Sequence, residues 1–386
     1  VPSVAARPEK FFDSTQRIWI DLMRVLAVNL VVYIHLVDIF EIPTRFKPHG
    51  LGVVLSFLLS GFLIFSTAWS RVHKGGDGLV DYLVDRASRI FVPMLPALCL
   101  IALANVFFID RDWGQRGLTL GPAAFTGNLF LLNDHPVFNV IGSVMGDISQ
   151  FHIRQYNGAK QFWTVPIEFW TYVLFGVLFF GWYRRERMSA LFCIVAVAVA
   201  TPVFLWNAFG GGGRGLTLVW CVGALFAYLW MNGLGHFPRR VQAGCGLMGV
   251  GVACLAASIR EFGFEGYGLL QTLFVALILF GSMLAVSSCK ALLARLKGPA
   301  SWASAYAYSL FLMHFAVIVI LREHTTLQPT WPDMAMALLA THVAGYGLYL
   351  VSERHYKRVG AAIKKWVHGR RRPSFSNTIV PPVEAS

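Results

Sequence analysis

Ten apolar runs, each about as long as a bilayer's hydrocarbon layer is thick, follow one another along this chain with short polar breaks between them. They cover residues 20–40, 51–69, 90–109, 163–182, 189–207, 215–232, 241–258, 267–287, 303–321 and 334–352. Runs of this length predict membrane-crossing helices, because a helix satisfies its own backbone polar groups where water is absent. The expected fold class is all-α, a polytopic membrane protein of about ten transmembrane helices. A further apolar patch, LTLGPAAFTGNLFLL at 118–132, is broken by Gly and Pro. It predicts a re-entrant or interfacial segment rather than another crossing.

Composition agrees with that pattern. The 386 residues are 56% hydrophobic and only 14% charged, with a mean hydropathy of +0.58, well away from a soluble domain. The net charge of +13 would suit a nucleic-acid binder. Its placement, between apolar runs and in the segment KKWVHGRRR, excludes nucleic acid as the expected partner and points to membrane lipid. With the N-terminus in the cytoplasm, 23 Lys and Arg fall on the inner side and nine on the outer, which predicts both termini cytoplasmic. The organisation expected is a cytoplasmic segment at 1–19, a membrane domain at 20–352 with a long outer loop at 110–162, and a basic cytoplasmic tail at 353–386. The first run carries Asp21 and Arg24 with no cleavage site after it, so it is expected to remain as an anchor. The GGGGRG stretch at 210–215 reads as a flexible link. Six scattered cysteines form no CxxC pair and read as small core residues.

The chemistry is expected where polar residues interrupt the runs. In DLMRVLAVNLVVYIHLVD, Arg24 and His35 are eleven positions apart, so they share a helix face about 16 Å apart along the axis. Asp21 and Asp38 lie in the same sector. An ionisable residue at mid-span costs about 2.5 to 3.5 kcal/mol on insertion scales. Asp21 and Asp38 read as helix-end charges that snorkel, whereas His35 reads as functional. Before the third run, Arg86 and Arg89 stand one turn apart, either as inner-side anchors or as a bidentate anion site. In FWTVPIEFWTY, Glu168 sits between Thr164 and Tyr172, flanked by Trp163 and Trp170. It would mark the interface, or else orient a histidine or grip sugar hydroxyls. His314 falls at mid-depth in YSLFLMHF. In the last run His342, Tyr346, Tyr349 and Glu353 share a face that also reads as structural, with Glu353 pairing an inner arginine.

Taken in order, these blocks resemble the acyltransferase-3 membrane family, which includes the O-acetylases of bacterial surface glycans. The carriers are Arg24 and His35 within DLMRVLAVNLVVYIH, then LSGFLI, then Arg86 and Arg89, FWTVPIEFWTY with Glu168, AYSLFLMH with His314, and the closing SERHYKR. The resemblance spans nearly the whole chain. It implies a bacterial inner-membrane enzyme that moves an acyl group, acetyl above all, from cytoplasmic acyl-CoA to a hydroxyl of an exopolysaccharide, lipopolysaccharide or lipid-linked saccharide. It also implies that His35 is essential and Arg24 its functional partner. Many relatives carry a further hydrolase-like domain; here transfer is expected to finish within the membrane portion or to involve another protein.

The residues fit such chemistry. Arg24, Arg86 and Arg89 lie toward the cytoplasm, where acetyl-CoA approaches, while His35, Glu168 and His314 are expected in the middle or outer half as the catalytic group. His35 would take the hydroxyl proton or carry the acyl group, with His314 or Tyr308 as candidates to stabilise the oxyanion. No metal-site motif is present. Intramembrane His, Arg and Glu also occur in secondary transporters, but no inverted-repeat signal is seen. A structural role in polysaccharide assembly would leave the Arg24 to His35 stripe unexplained.

Overall fold

The computed structural model describes residues 12–73, 78–108, 120–145, 153–209 and 215–370. The stretch DRDWGQRG of the outer loop, most of the GGGGRG link, the first eleven residues and the end of the tail lie outside the described residues. Each predicted crossing is a helix. They are α1 (Ser14–Ile39), α2 (Leu51–His73), α3 (Leu79–Phe107), α6 (Thr164–Gly176, continued by a π-helical stretch Val177–Tyr183), α7 (Ala190–Phe209), α8 (Leu216–Met231), α9 (Arg240–Phe262), α10 (Leu269–Ala285), α12 (Ala307–His324) and α13 (Trp331–Val351). Between them lie α4 (Pro122–Leu129), α5 (Pro136–Met145) and α11 (Lys290–Ala305), and α14 (Tyr356–Arg370) follows. Among the described residues, nine helical stretches are long and apolar enough to cross a bilayer, and the chain is an all-α polytopic membrane protein.

The one predicted crossing outside those nine, α8, has 16 residues and so spans about 24 Å, short of the roughly 30 Å hydrocarbon layer. Its start is fixed from outside, because the Asn207 side chain accepts the Thr217 amide at 2.7 Å. The apolar patch at 118–132 forms only the eight-residue α4, too short to cross, as its Gly and Pro content predicts.

Two helices begin earlier than hydropathy alone indicates. α1 starts at Ser14 because Asp13 and Gln16 make a reciprocal capping box, at 2.8 and 2.9 Å, which satisfies two otherwise unpaired amides. α3 starts at Leu79 and includes Asp81 and Asp85, whose charges are met from α14. Lys364 lies 2.9 Å from Asp85 and His368 2.9 Å from Asp81, with Arg71 of α2 also on Asp85. The segment read as a tail is thus, as far as Arg370, a helix fastened to the start of α3.

α1 lies among α2, α11 and α12, and α2 packs along α8. The α2–α8 contact is closer than side chains permit. A Cβ on Gly61 would overlap the Trp220 carbonyl, and one on Gly223 would overlap the Leu58 carbonyl. Such small-residue crossings let van der Waals packing, the main attraction between helices in lipid, act over the backbones themselves. Gly223→Val should therefore push α2 off α8 at a cost of about 1–3 kcal/mol, read as a lower Tm and loss of the monodisperse detergent-solubilised protein. An unchanged melting profile would show that the crossing is slack.

Candidate active site

Five helices enclose one cavity of about 200 Å³. α1 contributes Arg24, Val28 and Val31, α2 contributes Ser56 and Ser60, and α3 contributes Arg86 and Arg89. Thr164, Glu168 and Tyr172 come from α6, and Ala307, Tyr308 and Phe311 from α12. Arg24, Val28 and Val31 follow the i, i+4, i+7 spacing of one helix face, the face the sequence predicts to be polar at Arg24 and His35.

The three arginines are in different states. Arg89 is neutralised within the protein, since its Nη1 lies 2.5 Å from Glu353 Oε1. The other oxygen of Glu353 accepts the Ser309 amide at 2.8 Å and its hydroxyl at 2.6 Å. Arg89 also lies over the rings of Tyr308 and Tyr356, 5.6 and 4.9 Å from their centroids, which adds cation–π attraction. Glu353, assigned by sequence to the start of the tail, is 1% exposed and belongs to this site. Arg86 rests on the Tyr82 ring at 5.8 Å, and its Nε is buried without a hydrogen-bond partner. Arg24 has no ion pair or hydrogen bond among the described residues. Two guanidinium groups therefore face the cavity without a carboxylate of their own.

Glu168 stands elsewhere than expected. It is on this cavity wall and not beside the histidines: the Ser60 hydroxyl donates to its Oε1 at 3.0 Å, Tyr172 donates to the same oxygen, and the Ser60 and Tyr172 hydroxyls are 2.6 Å apart. Tyr308, a candidate for the oxyanion, likewise lines the arginine cavity, with its hydroxyl buried and unpartnered. It is six residues before His314 on α12, about 9 Å along the axis.

His35 and His314 form a separate pair just beyond the cavity. Each is one turn past the last lining residue of its helix, His35 after Val31 and His314 after Phe311. Their ring centroids are 5.2 Å apart, and Phe315 meets His35 edge-on at 5.3 Å. His314 is 0% exposed. Its Nδ1 lies 2.7 Å from the Phe311 carbonyl oxygen, so Nδ1 carries the proton and donates it. Nε2 therefore keeps a lone pair, and it has no partner. His35 is half-buried and has no hydrogen-bond partner among the described residues.

The remaining polar residues of the stripes are structural. Asp21 accepts from Ser304 at 2.9 Å, and Asp38 is exposed and lies 3.8 Å from both Lys47 and His49. His342 bridges Tyr306 and Asn29, each at 3.0 Å, and Tyr346 meets Tyr306 edge-on and stacks on Tyr349. Among the described residues, no cluster of three metal-ligating side chains occurs.

A cationic cavity adjoining a histidine pair, one ring buried and the other half-buried, suits transfer of an activated acyl group, and the family comparison agrees. The family model for an acyltransferase domain of the acyltransferase-3 type matches residues 17–350. The chain belongs to the acyltransferase-3 family. No curated protein and no solved structure matches it. In this family member the matched region runs from the first turn of α1 to the end of α13 and so contains every arginine and histidine of the site. Glu353 lies just beyond it. Serine and tyrosine partners, Ser60 and Tyr172, were not singled out as site residues by sequence. Their signal is a lone hydroxyl at the second position of LSGFLI and a tyrosine four residues after Glu168, one turn on.

The Arg89–Glu353 pair yields a stability prediction. Glu353→Ala strips Arg89 and Ser309 of their shared acceptor, and breaking a buried pair from one side costs about 3–5 kcal/mol. A Tm measurement should show a large loss for Glu353→Ala and a smaller one for the double replacement Arg89→Met with Glu353→Met. Equal losses would show that the pair is not coupled.

Proposed function

We propose that this membrane acyltransferase moves an acetyl group from cytoplasmic acetyl-CoA to a hydroxyl of a glycan, either an exopolysaccharide, a lipopolysaccharide or a lipid-linked saccharide, at a bacterial inner membrane. The observation that carries the reading is the arrangement of Arg24, Arg86 and Arg89 in one cavity, with His35 and His314 one helical turn further along the same helices. The charge bias of the loops supports both termini in the cytoplasm, and on that orientation the α14 end is the donor side.

The phosphates of the donor engage Arg24 and Arg86, whose guanidinium forks match phosphate oxygens. A cavity of about 200 Å³ is below the roughly 300–1,000 Å³ typical of pockets for drug-sized ligands. It takes the phosphate-proximal part of the donor, and the rest of the molecule extends beyond it. From Arg24 to His35 is about 16 Å along α1, a reach suited to an extended pantetheine arm, and the wall between them is the apolar neck of Val28, Val31 and Phe311. The thioester then arrives at the histidine pair.

There His35 takes the proton of the acceptor hydroxyl as its oxygen attacks the thioester carbonyl carbon. The new C–O bond forms, the C–S bond breaks, and CoA leaves as a thiolate that regains the proton from the imidazolium. His314, fixed as the Nδ1–H tautomer by the Phe311 carbonyl, offers Nε2 as an acceptor beside the reacting imidazole and keeps its ring in place. Glu168, bonded to Ser60 and Tyr172, shapes the donor cavity. If His35 is instead acylated on the way, the protein incubated with labelled acetyl-CoA alone retains label after denaturation.

Purified protein in nanodiscs should transfer label from acetyl-CoA to the host glycan. His35→Ala should abolish transfer, and persistence of activity in that variant would remove the catalytic assignment. Arg86→Ala deletes a charge-assisted contact worth about 1.5–3 kcal/mol and should raise KM for acetyl-CoA about 10- to 150-fold. An effect on kcat alone would place Arg86 outside the donor site.

A further inference from the structure

The histidine pair is approached from the end opposite α14 by a set of cations. Lys160 opens the 3-10 turn Lys160–Trp163 that leads into α6. Its ammonium lies 6.0 Å from the Phe315 ring centroid; that ring is 2% exposed and is the one that meets His35 edge-on. Lys160 is exposed, so its ammonium stands at the mouth of the histidine site, over its wall, and has no ion pair among the described residues. On the other side, Asp38, one turn after His35 on α1, holds Lys47 and His49 at its exposed end. His314, whose ring centroid is 5.2 Å from that of His35, and Lys160, over the Phe315 ring that meets His35, are each cationic when protonated. Behind Lys160, in the same turn, Trp163 meets Tyr267 at 6.2 Å and 74°, an aromatic pair with faces suited to sugar rings.

A neutral sugar gives an ammonium in this position nothing to neutralise. A carboxylate or phosphate close to the acylated hydroxyl does, and its presence also lowers the cost of gathering cations around a histidine that must accept a proton. We infer that the acceptor is an anionic saccharide, bearing a carboxylate or a phosphate near the hydroxyl that is acylated, and that Lys160 is a specificity-determining residue that binds this charge. The inference rests on the reading of the His35 site as the place of acyl transfer and names the class of its acceptor.

The test compares matched acceptors in nanodiscs with acetyl-CoA as donor. One pair is a glucuronate-containing oligosaccharide and its carboxyl-reduced counterpart. The other is a neutral oligosaccharide, free or linked to a polyprenol through diphosphate. The wild-type protein should favour the anionic member of at least one pair in kcat/KM; the carboxylate pair would identify an acidic sugar, and the diphosphate pair a lipid carrier. Lys160→Gln should reduce that preference about fivefold at low ionic strength, as befits a partly exposed ion pair, added salt should reduce it in the wild type, and Lys160→Arg should restore it. Equal use of both members of both pairs, or an equal loss for both in Lys160→Gln, would overturn the inference. If acetyl-CoA supports no transfer to any acceptor, the donor assignment fails, yet titration calorimetry with the same saccharides still reads the contact. Tighter binding of an anionic member by wild type than by Lys160→Gln would sustain the inference, and equal affinities would overturn it.

Discussion

Three guanidinium groups held within an apolar helix bundle are the constraint around which this structure is arranged. Burying a charge in a medium of low polarity is expensive unless a counter-charge or a set of hydrogen bonds replaces the lost hydration. The protein meets that demand fully for one arginine only. Arg89 has Glu353, which is itself held by the amide and hydroxyl of Ser309, so three parts of the chain, α3, the start of α12 and the turn after α13, are joined at one point. Arg86 has an aromatic ring and Arg24 has the cavity. Among the described residues neither Arg24 nor Arg86 has an ion pair, and Glu168 on the same wall is bonded to Ser60 and Tyr172; this is why we read the cavity as a receptor for an anion rather than a packing defect.

This arrangement also explains why helix ends that hydropathy discounts are necessary. The first turns of α3 carry Asp81 and Asp85, too polar for a simple span, and both are met by the basic helix α14. Arg86 and Arg89 follow Asp85 within one turn. Fastening α14 to α3 therefore fixes the turn of α3 that presents the arginines, while Glu353, directly before α14, closes on Arg89 from the other side. A basic segment that reads as a solvated tail becomes part of the frame of the site through residues that lie far apart in sequence.

Much of the architecture was legible because membrane spans are written in run length, a property local to each segment. Helical spacing likewise placed Arg24 and His35 on one face of α1, and the order of motifs pointed to the family. What was not legible depended on helix-to-helix registry. Glu168 has the same sequence signal whether it faces His314 or Ser60; only the depth at which α6 lies against α2 decides, and the structure decides for Ser60. His342 looked like a member of a polar stripe, yet its two nitrogens are occupied by Tyr306 and Asn29. Tyr308 was a sequence candidate for the oxyanion beside His314, but only the structure shows that it lies under Arg89 with an unpartnered hydroxyl.

Registry also accounts for the separation of charge from reactivity. On α1 and α12 alike, the last residue lining the cavity is followed one turn later by a histidine, so the two helices, packed side by side, bring His35 and His314 to the same depth. The apolar neck of Val28, Val31 and Phe311 intervenes between that depth and the arginines. Had the histidines stood among the guanidinium groups, like-charge repulsion would have opposed the protonated state that a general base must pass through. Spacing by about three turns of helix weakens that repulsion, and in the proposed mechanism the intervening wall is the surface along which the donor's uncharged linker lies. The cost of placing ionisable side chains in α1 is thus distributed over two depths, and in the mechanism we propose these have different tasks, charge recognition at Arg24 and proton transfer at His35, with the helix that joins them setting the length of donor the site can use.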